Sequence, residues 1–142
     1  MVKIEKDGIT ADVPDNLKYG KSHVWAKDEA GVVTIGITDY GQKSLKEIVL
    51  VDIMVGEGDE VSGSPDEQPS VDPFASLEST KAVAEIFALA NGSVTAVNTE
   101  LDDDPTIVNQ DPYGKGWIIK VKGSLVGGVL DAAAYANFVK SS

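Results

Sequence analysis

The chain has no cysteine and no arginine, and histidine occurs once, at His23. Without cysteine there is no disulfide, no zinc–thiolate centre and no thiol nucleophile, so any sulfur chemistry must arrive on a cofactor. One histidine supplies neither a His pair nor a Cys–His pair, which removes a histidine-based metal site from the inventory. Beside Trp25, His23 reads as a structural or surface residue. Aromatic residues are only 6% of the chain, so the core must rest on Val, Ile, Leu and Ala. No apolar run approaches the ~18 residues of a membrane span. The opening "MVKIEKDGITADV" has no signal-peptide core and is not an arginine-rich transit sequence. The expected location is cytoplasmic, with a mature organelle-matrix form as the alternative.

All basic residues are lysine, and the net charge is −11. Nucleic-acid binding needs clustered cations to displace counterions from phosphate, and this chain would be repelled. An anionic membrane surface would repel it too. Most of the carboxylates read as a solvated acidic face. Asp102-Asp103-Asp104 and Asp66-Glu67 lack the ligand spacing of an EF-hand loop and read as solvated loops, so no metal is expected. "GEGDEV" (56–61) opens like a phosphate loop, but Asp59 and Glu60 would repel phosphate and no helix pattern follows.

The 142 residues fit one domain, 1–142, with an extended lead-in over 1–16. "GVVTIGI" (31–37) is β-branched and predicts a strand. Asp39 with Gln42 fits a capping box and predicts a short helix over 40–47. Alternation predicts a strand over 48–55, and 56–70 reads as loop. Strands are expected over 73–78 and 83–90, then a turn at Asn91-Gly92 leading into another strand. An acidic loop over 99–116, with a helical turn before Pro105, precedes a strand over 117–122. Leu130, Ala134 and Phe138 space a short C-terminal amphipathic helix. Six or seven short strands, an inserted helix and a terminal helix predict a mainly β fold, a sandwich or small barrel.

One lysine stands apart. Between Lys46 and Lys115 lie fifteen Asp and Glu residues and a single cation, Lys81. Ser79-Thr80-Lys81-Ala82 links two strand-like segments without glycine, as a type I turn allows. A glycine-free tip is stiff and presents a flexible amine well. Local features alone favour the plainer reading, one solvated turn lysine.

The ordered set of motifs changes the weight. "LKYGKSHVW" (17–25), "TIGITDYGQKSL" (34–45), "GDEV" (58–61), "LESTKAVAEI" (77–86), "NGSVTAVN" (91–98), "VNQDPYGKGWIIKVK" (108–122) and "LDAAAYANF" (130–138) together resemble the glycine cleavage H-protein family. The resemblance covers residues 17–139 and implies a barrel-sandwich hybrid, the flattened β-sandwich of lipoyl and biotinyl domains. It implies a non-catalytic carrier bearing lipoate as N6-lipoyllysine at Lys81. That carrier would shuttle the aminomethyl group of glycine between partner enzymes. The implied partners are a pyridoxal-phosphate glycine decarboxylase, a folate-dependent aminomethyltransferase, a dihydrolipoyl dehydrogenase and a lipoylating enzyme. Glu78, Ser79, Thr80 and Ala82 would form the recognition surround of the attachment site. Ala82 stands where biotin carriers usually show Met, which disfavours biotin.

The chain also departs from the family. Val24 follows His23 where the family usually has glutamate, in the region, His23 and Val24, where the arm is expected to dock. An acidic Ser/Pro-rich insert spans about 62–73, and "GSLVGGVLD" replaces a more acidic segment. Two other readings stay open at this point: an H-like lipoyl carrier for lipoyl relay or sulfur oxidation, and an unmodified acidic interaction module.

Overall fold

The computed structural model describes residues 1–67 and 69–142. The lead-in is a hairpin rather than one extended arm. Its strands β1 (Val2–Lys6) and β2 (Ile9–Val13) pair antiparallel, with Val2 opposite Val13. The reversal falls on Asp7-Gly8, both at positive φ (53° and 81°), as a two-residue hairpin turn requires. After β3 (Lys18–Gly20), β4 (Val24–Glu29) turns through Ala30-Gly31, at φ 55° and 87°, into β5 (Val32–Ile37).

Helix α1 (Asp39–Leu45) is capped by Thr38, not Asp39: the Thr38 hydroxyl accepts the Gly41 N–H at 3.1 Å. Asp39 is the first helical residue, and its carboxylate accepts from the Gln42 amide at 2.8 Å. The expected box is thus shifted one residue, because the preceding hydroxyl already satisfies the orphan donor.

β6 (Ile48–Ile53), β7 (Glu60–Val61), β8 (Ala75–Ser79), β9 (Val83–Ile86) and β10 (Ala90–Val97) follow. The acidic stretch holds two single-turn helices, α2 (Glu100–Asp103) and α3 (Ile107–Gln110), where only the first is foreseen by sequence. β11 (Ile119–Leu125) starts two residues later than expected, and α4 (Ala132–Ser141) closes the chain. Asn91-Gly92 is no turn. It lies inside β10, with Gly92 opposite Gly123 of β11. The buried stripe of α4 is Ala132, Tyr135, Ala136 and Val139, one position on from the expected one, with Ala134 and Phe138 only partly covered.

Among the described residues, eleven strands form three antiparallel groups. The lead-in hairpin stands alone, six strands run β3-β4-β5-β11-β10-β7, and three run β6-β8-β9. Ile35, Ile37 and Val121 from the larger sheet meet Val51, Leu77 and Ile86 from the smaller in the main core. Full burial of each such side chain contributes about 1.5–3 kcal/mol. A second core lies under α4, where Tyr135 and Val139 pack with Ile4, Val13, Tyr19 and Trp25. Tyr135 stacks on Tyr19 with ring centres 4.9 Å apart. The result is a flattened, open β-sandwich with an inserted and a terminal helix. No helix among the described residues is long and apolar enough to cross a membrane.

Candidate functional site

The β8–β9 hairpin pairs from Ala75 opposite Ile86 up to Glu78 opposite Val83, leaving Ser79–Ala82 as its tip. Ser79 closes it almost alone. Its N–H donates to the Ala82 carbonyl at 2.8 Å, and its hydroxyl accepts from the N–H groups of Lys81 (3.1 Å) and Ala82 (3.0 Å). Thr80 and Lys81 have no left-handed φ, so the turn carries no backbone strain. A serine that satisfies neighbouring amides in this way replaces the glycine of a tighter turn. Ser79→Ala removes one acceptor from two amides, a loss of about 1 kcal/mol. Hydrogen exchange at the Lys81 and Ala82 amides should accelerate roughly fivefold, with exchange in β10 and β11 unchanged.

The tip is also tied to the chain that leaves α1. Thr80 N–H donates to the Glu47 carbonyl at 3.1 Å. The preceding residue, Lys46, sits at φ 73° and ψ −150°, a region that almost only glycine visits. It is held there from several sides. Its N–H reaches the Gln42 and Lys43 carbonyls, and the Asn109 amide donates to its carbonyl at 2.9 Å. The same Asn109 donates to Gln42 at 2.8 Å and accepts the Ile48 N–H at 2.8 Å. One side chain of α3 thus locks α1, β6 and, through Glu47, the tip.

Lys81 stands exposed at the apex, and its ammonium donates to the Ser44 carbonyl at 3.3 Å. Ser44 is itself on the wall of a cavity of about 90 Å³, with Ser22, His23, Ile37, Leu45 and Ile86. The Ser22 hydroxyl is buried without a hydrogen-bond partner among the described residues. His23, at φ 67°, faces a hydrogen-bonded chain: its Nδ1 lies 2.8 Å from the Tyr135 hydroxyl, which lies 2.8 Å from Thr38 Oγ1. Thr38 also accepts the Gly41 N–H, and its hydroxyl has both a donor and a second lone pair to offer Tyr135.

Burial pushes the His23 pKa down from 6.5 to about 4. The unfolded chain therefore takes up this proton first as pH falls. The group leaves stability unchanged above pH 6.5, lowers it between 6.5 and 4, and has a constant effect below. Between pH 7 and pH 4.5 the native chain should lose about 2–3 kcal/mol more than His23→Gln, read by urea denaturation at the two pH values.

The structure separates the two residues expected at the arm-docking region. His23 lines the cavity, whereas Val24 is fully buried in the main core and is not on the cavity wall. Glu78 is exposed on β8, just below the tip. Ser79, Thr80 and Ala82 share the apex with Lys81. Ser22, Ser44 and Asn109 are the residues that sequence reasoning misses. Ser22 is flagged only by standing next to His23, and nothing local marks Asn109.

Among the described residues, the Lys81 ammonium has the Ser44 carbonyl as its hydrogen-bond partner and no general base beside it. The site is an exposed primary amine on a stapled tip beside a small, mostly apolar recess, an arrangement suited to presenting a group rather than transforming one.

The model of the family described as glycine cleavage H-protein matches residues 17–141. A glycine cleavage system H protein from Carboxydothermus hydrogenoformans is 44% identical over 110 residues, 78% of this chain and 78% of that protein. One from Staphylococcus carnosus is 46% identical over 110 residues, 78% of this chain and 81% of that protein. The crystal structure of a glycine cleavage system H protein from Mycobacterium marinum aligns with a TM-score of 0.78 at 32% identity, over 88% of this chain and 97% of that one. The chain belongs to the glycine cleavage H-protein family, and so is a carrier subunit of the glycine cleavage system rather than one of its enzymes.

Proposed function

We propose that Lys81 is the lipoyl attachment site and that this chain carries the aminomethyl group of glycine as N6-lipoyllysine. The observation that carries this reading is the placement of Lys81, exposed at the apex of a tip that Ser79 and Glu47 hold in one shape. When bound, lipoate supplies the paired sulfurs that the cysteine-free chain lacks. The residues present fit such an arm: the Lys81 amine is free to form an amide, and the recess beginning at Ser44 offers an apolar resting place with one unpartnered hydroxyl, Ser22. No carboxylate stands among its lining residues. A desolvated ammonium would find no ionic partner there, so the recess suits an uncharged arm better than a charged one.

The partners in this reading are the decarboxylase that loads the arm, the aminomethyltransferase that unloads it and the dihydrolipoyl dehydrogenase that reoxidises it. Glu78, Ser79, Thr80 and Ala82 act as the surround read by the lipoylating enzyme. The test is glycine-dependent CO₂ exchange with the decarboxylase. Lipoylated chain should support it and unmodified chain should not. A lipoylated chain that supports no exchange would assign the carrier to another pathway.

A further inference from the structure

Among the described residues, the large apolar side chains that stand in solvent are Met1, Val49, Leu50, Met54 and Val83. All but Met1 belong to the small sheet or the residue that follows its first strand. The register explains their grouping. Leu50 lies opposite Glu78, and Glu78 opposite Val83, so the three share one row on one face. Asp52, Ser76 and Glu85 form the next row of the same face. The inner face carries Val51, Leu77 and Ile86, all buried. Val49 is added beside the row by the irregularity between Ile48 and Leu50.

This outer face pairs exposed apolar groups with uncompensated acid. Val83 is 63% exposed and Leu50 46%. Asp52, Glu78 and Glu85 are exposed as well, with Glu47 at the near edge. None of the four ion pairs among the described residues involves any of these carboxylates. Lys81, at the end of the row, is a cation whose charge an amide bond removes.

We infer that the outer face of β6-β8-β9, centred on the Leu50–Glu78–Val83 row, is the docking surface for the enzyme that lipoylates Lys81, a protein presenting lysine or arginine around an apolar recess. The inference rests on the reading of Lys81 as the attachment site. Before modification there is no arm to grip, so that enzyme must read the protein body. It must also choose one amine among twelve basic residues, all lysine. The row abuts the tip: Ser79 follows Glu78 directly, and the pairing of β8 with β9 ends at Glu78–Val83. Apolar side chains in solvent beside unpaired charge are what a partner with complementary charge would cover. Enzymes that act later can hold the arm itself and depend less on this face.

The test is steady-state lipoylation of the full chain by its lipoylating enzyme with lipoate and ATP, followed by intact mass. The Leu50→Thr/Val83→Thr double variant places β-branched, strand-favouring residues at both positions while removing the apolar surface. Its KM should rise about tenfold with kcat unchanged. The Glu78→Gln/Glu85→Gln variant should raise KM and flatten the fall of kcat/KM with added salt. Glu5→Gln, on the lead-in hairpin, should match the native chain. Circular dichroism confirms folding of each variant. Unchanged KM and salt dependence in both double variants, with the native chain modified normally, would overturn the docking surface alone. A native chain left unmodified would overturn the reading of Lys81 on which it rests. Sedimentation showing a dimer that Leu50→Thr/Val83→Thr abolishes would assign the face to a second copy and overturn the inference.

Discussion

Lys81→Arg should leave the fold intact and abolish carrier function. Arginine keeps the positive charge and a donor for the Ser44 carbonyl, so the contact at the apex has a replacement. It has no amine able to form the lipoyl amide, because the guanidinium stays protonated and is a poor nucleophile. The position is exposed, and stability should change by less than about 0.5 kcal/mol. Glycine-dependent CO₂ exchange should fall to the level without carrier, and intact mass should show no lipoyl adduct. Because charge and size are nearly kept, the loss would isolate the amine itself. A variant that stayed modified would place the attachment elsewhere.

The largest effect on folding is expected at a position far from the tip. Gly123→Ala should destabilise the chain by about 4 kcal/mol or more. A Cβ at residue 123 would stand 1.9 Å from the Asn91 carbonyl oxygen, and one at Gly92, across the ladder, 2.1 Å from the Lys122 carbonyl oxygen. Both obstacles are backbone, which no rotamer change relieves, and the two glycines face each other in the ladder between β10 and β11. Gly127→Ala is the control. Its Cβ would meet nothing within 4 Å, and its effect should stay within about 0.5 kcal/mol. Urea midpoints of the two variants measure the difference directly.

That pair of glycines also shows where the sequence could not be read. Asn91-Gly92 has the composition of a hairpin turn, and the reading as a turn is locally sound. What decides it is Gly123, thirty-one residues away, which lets two backbones approach so closely that the strand passes straight through. The place of Val24 was not legible for a related reason. Alternation shows that β4 has an inner and an outer face, not which neighbour each side chain meets, and Val24 turned to the core while His23 took the cavity. Asn109 was invisible because its partners, Gln42, Lys46 and Ile48, lie more than sixty residues earlier. Two turns do carry a local signal. Asp7-Gly8 and Ala30-Gly31 are both two-residue turns with left-handed backbone, and their glycines mark the ends of β1 and β4.

The tip was legible because its determinants are local. Alternating segments on either side of Ser79–Ala82 set the hairpin, and a serine at the first turn position set its closure. The mainly β class and both main helices were legible for the same reason. Strand counting reached a sandwich or small barrel but missed several strands, since strands as short as Glu60–Val61 leave almost no periodic trace. The family resemblance narrowed that pair of architectures to the flattened sandwich.

The most direct test of this account is peptide mass mapping of the chain purified from its native source. It should show one lipoyl increment, on the peptide containing Lys81, and none on any other lysine. An unmodified Lys81 in a source with active lipoylation, or an increment on a different lysine, would contradict it.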